Sequence, residues 1–353
     1  MEKDLTSLAV LIPAYKPTDL LIKLSQELIE QGFKYVLVVD DGSGDEFKPV
    51  FDSVNKAGCR VISHAVNMGK GRALKTGIND IMLNGSGILG VITADADGQH
   101  LVKDIINVGK ALLESKDTLV LGKRSFKGKV PFKSRFGNTI TKHVFNFVSG
   151  QKIHDTQTGL RGLPWSSLKD MMSLTGERYE YEMDMLLKAS RLGLTLKEID
   201  IETVYHDKNA ASHFNPFKDS LRIYRIIVSG FIMFAGSSVF AFLIDFALFA
   251  LLLSFFPQKN MLWLVVAGSR IPSATINFFI NRNIVFAARK SGNFKRHAFG
   301  YFWLAGVIML LNYSLIFLLS NVIGLYELVA KPIVEVILFL LSYLMQKRVV
   351  FKP

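Results

Sequence analysis

The sequence predicts two folded parts in series: a mixed α/β domain built on a mostly parallel sheet, then an all-α bundle of four membrane-crossing helices. Three observations carry this reading. Short apolar runs alternate with helix-period segments through the first 210 residues, the pattern of strands crossed over by helices. Four long apolar stretches follow residue 225, each near the roughly 20 residues that span a bilayer core. Charge divides at the same place: residues 226–353 hold 11 Lys/Arg against 3 Asp/Glu, whereas residues 1–225 are nearly balanced at 31 against 27. The expected boundaries are 1–210 for the α/β domain, 211–225 for a juxtamembrane helix and 226–353 for the bundle.

The whole chain, 353 residues with a net charge of +12, is half hydrophobic, and its mean hydropathy is +0.29. That composition excludes a disordered, collagen-like or disulfide-stapled chain. Cys59, alone in the sequence, can form neither an internal disulfide nor a cysteine-rich metal site. His154, His206 and His213 have no metal-ligand spacing, so zinc is not expected. The basic excess lies between apolar runs, which points to a membrane surface and not to nucleic acid.

In chain order, residues 8–13 form a buried strand, 19–31 a helix, and 35–39 a second strand that stops at Asp40-Asp41-Gly42-Ser43. Residues 60–64 and 90–93 form a third and a fourth strand, the latter ending in Asp95-Ala-Asp97-Gly-Gln99-His100. Ligands of such sheets sit beyond the carboxyl ends of the strands, and acidic residues gather there at 40–41 and 95–97. Asp95 and Asp97, with Gln99 continuing the alternation, offer the hard oxygens that Mg²⁺ or Mn²⁺ prefers while leaving positions for a diphosphate. Asn67-Met-Gly69-Lys70-Gly71-Arg72 opens a helix. It reads either as a flexible cap or as a place where backbone and the Lys70 cation approach a nucleotide.

The expected spans are about 226–256, 261–280, 298–323 and 328–346. Basic residues cluster at 218–225, 282–296 and 347–352, while the other two connections offer only Lys259 and Lys331. The positive-inside rule therefore places both termini and the α/β domain in the cytoplasm, on a multi-pass protein of the cell membrane. The N-terminus leads straight into a strand-like segment, so no cleavable signal is expected. Residues 211–225 mix aromatic and basic side chains and read as an interfacial helix or as a linker helix packed on protein. Asp245, Arg270, Lys331 and Glu335 are costly in lipid and should pair or face the bundle interior. The bundle also resembles a doubled hairpin: Phe231–Gly236 is echoed at Tyr301–Gly306, and Asn281-Arg282-Asn-Ile-Val-Phe286 at Gln346-Lys347-Arg348-Val-Val-Phe351.

The run from Arg270 to Phe286 resembles the GtrA-like family of four-span proteins, which accompanies polyprenyl-phosphate sugar metabolism. The first half resembles the family 2 glycosyltransferases of the dolichol/polyprenyl-phosphate sugar synthase type. Its motifs are Ile12-Pro13-Ala-Tyr15, Val39-Asp40-Asp41-Gly-Ser, Asn67-x-Gly69-x-Gly71, Ala94-Asp95-x-Asp97, Arg124, Ser134-Arg135-x-x-Asn138 and Asp155-x-x-x-Gly159-x-Arg161. The resemblance implies a GT-A fold, with Pro13, Tyr15, Val39, Asp41 and Ala94 at the nucleotide and Lys70 beside it. Asp95, Asp97 and Gln99 would hold Mg²⁺ or Mn²⁺ and diphosphate. Arg124, Arg135 and His213 would meet the acceptor phosphate. Asp97, Arg124, Arg135 and Glu182 are the expected catalytic set, Glu182 and Asp184 being either sugar or acceptor contacts or simply helical surface charge.

Three departures from the dolichol-type pattern weigh against guanine and mannose: Lys16-Pro17 after the tyrosine, Ser212-His213-Phe214, and Tyr179-Glu180-Tyr-Glu182-Met-Asp184-Met. The expected activity is inverting transfer of a hexose from a nucleotide-diphosphate sugar to undecaprenyl or another polyprenyl phosphate. UDP-glucose leads UDP-N-acetylglucosamine, UDP-galactose and GDP-mannose as donor. A homo-oligomer is possible. The alternative makes the membrane half a flippase, transporter or scaffold for a lipid-linked sugar. A processive polysaccharide synthase is disfavoured because no Gln-x-x-Arg-Trp segment occurs.

Overall fold

The computed structural model describes residues 4–124, 141–142, 145–146, 151–202, 216–256, 262–286, 293–325 and 327–351. It divides into two compact units, 1–227 and 228–353.

The first unit is built on a seven-stranded sheet in the order β3-β2-β1-β4-β6-β5-β7. The strands are β1 Leu8–Ala14, β2 Tyr35–Asp40, β3 Arg60–Ser63, β4 Gly90–Thr93, β5 Thr118–Arg124, β6 Arg161–Pro164 and β7 Thr195–Ile201. β1 pairs in parallel with β2 and β4, β2 with β3, and β5 with β7, while β6 runs antiparallel between β4 and β5. From β1 the chain winds outward to β3 and then returns to β4 on the other side of β1. That reversal opens a crevice at the carboxyl ends of β1 and β4, where open α/β sheets bind ligands.

The strands are apolar on both faces because both are covered. Leu8, Val10, Ile12, Val36, Val38 and Ile92 pack on one side with helices α1 (Leu20–Glu30), α2 (Lys48–Lys56) and α4 (Val102–Glu114). Ala9, Leu11, Leu37, Val39 and Val91 pack on the other with α3 (Lys70–Asn84), α5 (Trp165–Met172) and α6 (Glu180–Arg191). A sheet buried on both faces reads as continuous apolar runs, as β1 and β2 do.

The second unit begins within α7 (Pro216–Phe255), one unbroken helix, so the expected boundary at 225 falls inside a helix and not between two. No Gly or Pro lies between Pro216 and Gly230 to break it. Residues 203–215, which include the start (211–215) of the expected juxtamembrane segment, lie outside the described residues. α8 (Leu262–Ile280), α9 (Phe294–Phe317) and α10 (Glu327–Met345) complete the unit. Among the described residues, Val228–Leu252 is the stretch long and apolar enough, by length and composition, to cross a membrane. α8 and α10 are shorter, at 19 residues each, and α8 carries Arg270 and Pro272 within it.

The doubled pattern of the sequence has a structural counterpart. α8 and α10 each run into a π-helical turn, Asn281–Val285 and Gln346–Val350, at the echoed segments. Equivalent residues meet one another: the Asn281 amide donates to Gln346 Oε1 at 3.0 Å, and Phe286 stacks on Phe351 at 5.2 Å. Contacts also recur in matched pairs, Phe278–Phe351 and Tyr343–Phe286 both at 6.0 Å. Such self-pairing indicates a local two-fold relation between the hairpins. Asp245 pairs with Arg270 at 3.0 Å and accepts from the Ser273 hydroxyl at 3.2 Å. The side chains of Lys331 and Glu335 lie outside the described residues.

Candidate active site

Four chain segments converge on the carboxyl edge of the sheet. β2 delivers Asp40 and Asp41, β4 delivers Ala94 to Asp97, β5 ends at Arg124, and the antiparallel β6 brings Gly159 and Arg161 in from the opposite direction. Register enforces the meeting: Ala14 lies opposite Asp40, Leu11 opposite Thr93, Thr93 opposite Arg161, and Leu121 also opposite Arg161. The Thr93 hydroxyl donates to the Gly159 carbonyl at 2.7 Å, locking the entry to β6 against the exit from β4. A Cβ at Gly159 would come within 2.2 Å of the Asp95 carboxylate, so only glycine lets the two segments approach this closely.

Lys70, at the start of α3, lies at the centre. Its ammonium is 2.6 Å from Asp95 Oδ1 and 2.7 Å from Glu182 Oε1. Burial alone would lower the Lys70 pKa, but the charges of Asp95 and then Glu182 outweigh it and hold the ammonium well above the usual lysine range. Burial alone would raise Asp95, yet Lys70 and then His100, 3.4 Å away, keep it well below the usual carboxylate range. Asp97 moves the other way: burial first and the Asp95 charge second raise it. Its Oδ1 accepts the Gln99 backbone N–H at 3.1 Å.

Asp41 is buried and ties the glycine-rich turn to the end of β2. It accepts N–H groups from Met68 at 2.9 Å and Gly69 at 2.8 Å, and meets His64 Nδ1 at 2.8 Å. His64 Nε2 in turn reaches Thr76 Oγ1 at 3.0 Å. A Cβ at Gly42, whose φ is +72°, would come within 2.3 Å of the Val66 backbone. The Gly-Lys-Gly turn therefore stands on a carboxylate, which fixes the direction of Lys70. Lys75 and Arg72 hold Glu177 at 2.6 and 2.7 Å, fastening α3 to the loop before α6.

Arg124 donates from Nε and Nη2 to the fully buried Asp155 at 2.7 and 3.0 Å, with its backbone N–H completing the grip at 3.3 Å. Arg161, buried throughout, donates to the carbonyls of Thr158 and Thr156 at 2.9 and 3.3 Å and to that of Glu182. It therefore sets the first turn of α6 and the position of the Glu182 side chain.

The structure thus brings together Lys70, Asp95, Asp97, Gln99 and Glu182 from the sequence-expected set. Pro13 is the next-to-last residue of β1 and Tyr15 follows the strand's end at Ala14, while Lys16 takes a left-handed φ of 51° and donates its N–H to Ser43 Oγ at 2.8 Å. Val39 and Ala94 face opposite core clusters, so any contact with a ligand must come from their backbone. Asp41 and Arg124 are engaged within the protein. Arg135 and His213 lie outside the described residues. Sequence reasoning gave no role to His64, His100 or Glu177. Only His100 carried a local signal, as the residue directly after the Asp95-Ala-Asp97-Gly-Gln99 run.

A divalent cation fits the chemistry of this edge. Asp95 and Asp97 are neighbouring carboxylates whose mutual repulsion raises one of them, and they supply hard oxygens that await phosphate oxygens. No group of three or more His, Cys, Asp or Glu side chains arranged for a metal occurs among the described residues. The two carboxylates would therefore hold a metal jointly with a ligand's oxygens.

Residues 9–171 match the family model "Glycosyl transferase family 2", and residues 233–351 match "GtrA/DPMS, transmembrane domain". A protein of Methanocaldococcus jannaschii described as uncharacterized is 30% identical over 224 residues, covering 62% of this chain and 90% of that one. The UDP-N-acetylglucosamine–dolichyl-phosphate N-acetylglucosaminyltransferase of Methanococcus voltae is 26% identical over 239 residues, 62% of this chain and 94% of that one. Among solved structures, glucosyl-3-phosphoglycerate synthase from Mycobacterium tuberculosis with Mn²⁺, uridine diphosphate and phosphoglyceric acid aligns at 15% identity. Its TM-score is 0.48, over 63% of this chain and 78% of that one, a likeness too distant to bear weight. The chain belongs to the family 2 glycosyltransferases and carries a C-terminal GtrA/DPMS membrane domain. It is a membrane glycosyltransferase whose sheet domain is mixed α/β.

Proposed function

We propose that this protein transfers a hexosyl unit from a uridine-diphosphate sugar to a polyprenyl phosphate, with inversion at the anomeric carbon. The observation that carries the proposal is the Lys70 ammonium clasped by Asp95 and Glu182 beyond the carboxyl end of β4. It sets cation and carboxylates side by side where a sugar diphosphate needs both. Glucose leads on the sequence pattern, and the activity named for the Methanococcus voltae relative sets N-acetylglucosamine beside it. Both are carried by the same nucleotide.

A phosphate monoester is largely dianionic near pH 7, so the acceptor oxygen needs no strong base. The barrier lies in bringing two anions together and in stabilising the departing diphosphate. Asp95 and Asp97 would hold Mg²⁺ or Mn²⁺, which when bound supplies positive charge to the leaving group. Lys70 adds a fixed cation and Glu182 orients a sugar hydroxyl, while the acceptor phosphate is assigned to Arg124 and Arg135 on the sequence motifs that carry them. Catalysis on the cytoplasmic face of a multi-pass protein follows from the charge pattern of the spans.

Calorimetric titration of the full-length protein in detergent with UDP, with and without Mn²⁺, tests the donor end. The expected result is Mn²⁺-dependent binding weakened about tenfold or more by Asp97→Ala, the loss of one charge-assisted contact being worth at least that. UDP binding indifferent to both Mn²⁺ and Asp97 would refute this arrangement.

A further inference from the structure

The membrane domain carries a buried cation that the sugar-transfer chemistry does not use. Arg282, in the π-helical turn that closes α8, is 8% exposed. Its Nε donates to His297 Nδ1 and its Nη1 to Asn283 Oδ1, both at 3.3 Å. Its guanidinium also lies 5.2 Å from the centre of the Phe294 ring. These partners are neutral, and both bonds are longer than the 2.7–2.9 Å usual for charge-assisted pairs.

Among the described residues no carboxylate pairs with it. Residues 226–353 contain only Asp245, Glu327 and Glu335 as acids, and Asp245 is engaged by Arg270 and Ser273. Meanwhile Lys295 and Arg296 begin the next helix beside His297, and Lys347 and Arg348 occupy the equivalent turn at the end of α10. The two turns are joined through the buried amides of Asn281 and Gln346. A buried charge without a counter-charge costs several kcal/mol, and ionisable residues in membrane segments mark functional sites.

We propose that Arg282 is the anchor of an anion site for a phosphate headgroup, presented by a lipid to the paired π-helical turns. The planar fork of arginine suits phosphate better than a point charge does. Phe294 and His297, which contact the guanidinium, pack in turn on the buried Phe278 and Phe351, so the cation sits in an apolar setting. The site rests on residues of the membrane domain alone and does not depend on which sugar, or whether any sugar, is transferred.

Hydrogen exchange of the full-length protein in phosphatidylcholine nanodiscs tests the site through peptides covering residues 278–300. The probes are a short polyprenyl phosphate, the matching uncharged polyprenol, phosphatidic acid and inorganic phosphate. The expected result is protection by both lipid phosphates and not by polyprenol, with affinity lowered about tenfold in Arg282→Gln, the value of one charge-assisted pair, and partly restored in Arg282→Lys. Equal protection by inorganic phosphate would uphold the phosphate chemistry and assign its source to solution. Equal protection by polyprenol, or undiminished protection in Arg282→Gln, would overturn the proposal. If Arg282→Gln does not fold, the phosphate-against-alcohol comparison on the wild type decides alone. Sugar transfer is assayed separately, so failure of either reading leaves the other standing.

Discussion

Lys70 was expected from the sequence beside the nucleotide and Arg124 at the acceptor phosphate, and their settings differ. Lys70 is shared between two carboxylates of the candidate site, 2.6 and 2.7 Å away. Arg124 has two of its donors committed to the fully buried Asp155. Asp155 also accepts the backbone N–H groups of Arg124 and Gln157, so one side chain holds the end of β5 against the turn that leads into β6. Removing one partner of a buried pair strands the other. Asp155→Ala is therefore expected to destabilise the protein by about 3 kcal/mol, near the low end for buried pairs because the arginine side chain is 20% exposed. Urea unfolding followed by far-ultraviolet dichroism measures it. A change within about 0.5 kcal/mol, the size expected of an ordinary surface substitution, would mean that the pair is not structural.

At the level of elements, the glycine-rich turn works because α3 is fixed at both ends. Glu177 fastens its first turns through Arg72 and Lys75. At its far end Asp80 accepts from Arg60 at 2.9 and 2.8 Å and from the Tyr35 hydroxyl at 3.0 Å, tying the helix to β3 and β2. Arg60 lowers the Asp80 pKa, and burial followed by Asp80 pushes Tyr35 up to about 12. The depressed carboxyl contributes stability that is full above its unfolded value of about 4 and is lost as pH falls through the lower folded value. The raised phenol acts in the opposite sense, contributing up to about pH 10 and fading toward 12. Asp80→Asn should thus cost about 1 kcal/mol between roughly pH 5 and 9, a figure kept small because Arg60 is half exposed. The cost should vanish below the folded pKa of Asp80. Equilibrium unfolding of both proteins across pH would show it, and a cost that persists undiminished at pH 2 would contradict the assignment.

Much of this element structure was legible in the sequence. Apolar runs bounded by Asp-Asp-Gly-Ser and Asp-Ala-Asp gave β1, β2 and β4 within a residue or two, because a sheet covered on both faces leaves no other reading of such runs. The antiparallel β6 was not legible: Arg161-Gly-Leu-Pro is four residues long and begins with a charge. Its place depends on the contact between Gly159 and Asp95, 64 positions apart in sequence. Glu182 was visible as an acidic residue but not as a partner of Lys70, since that meeting requires the buried Arg161 to hold the start of α6.

For the molecule as a whole, the division into two units follows the charge and hydropathy split of the sequence, with the boundary between Ile227 and Val228. The internal echo of the membrane half was also readable, but the self-pairing of Asn281 with Gln346 and of Phe286 with Phe351 required coordinates. On the proposed function, the first unit would bind the sugar diphosphate and the membrane domain would present the lipid acceptor. The measurement that tests this most directly is transfer of radiolabel from UDP-glucose and UDP-N-acetylglucosamine to a short polyprenyl phosphate, using the full-length protein with Mn²⁺. The account predicts labelled lipid phosphate sugar from one of these donors, reduced at least about 100-fold by Lys70→Met, the scale on which a lost preorganised charge slows catalysis. No labelled lipid from any UDP-sugar, with folded protein and UDP binding intact, would contradict it.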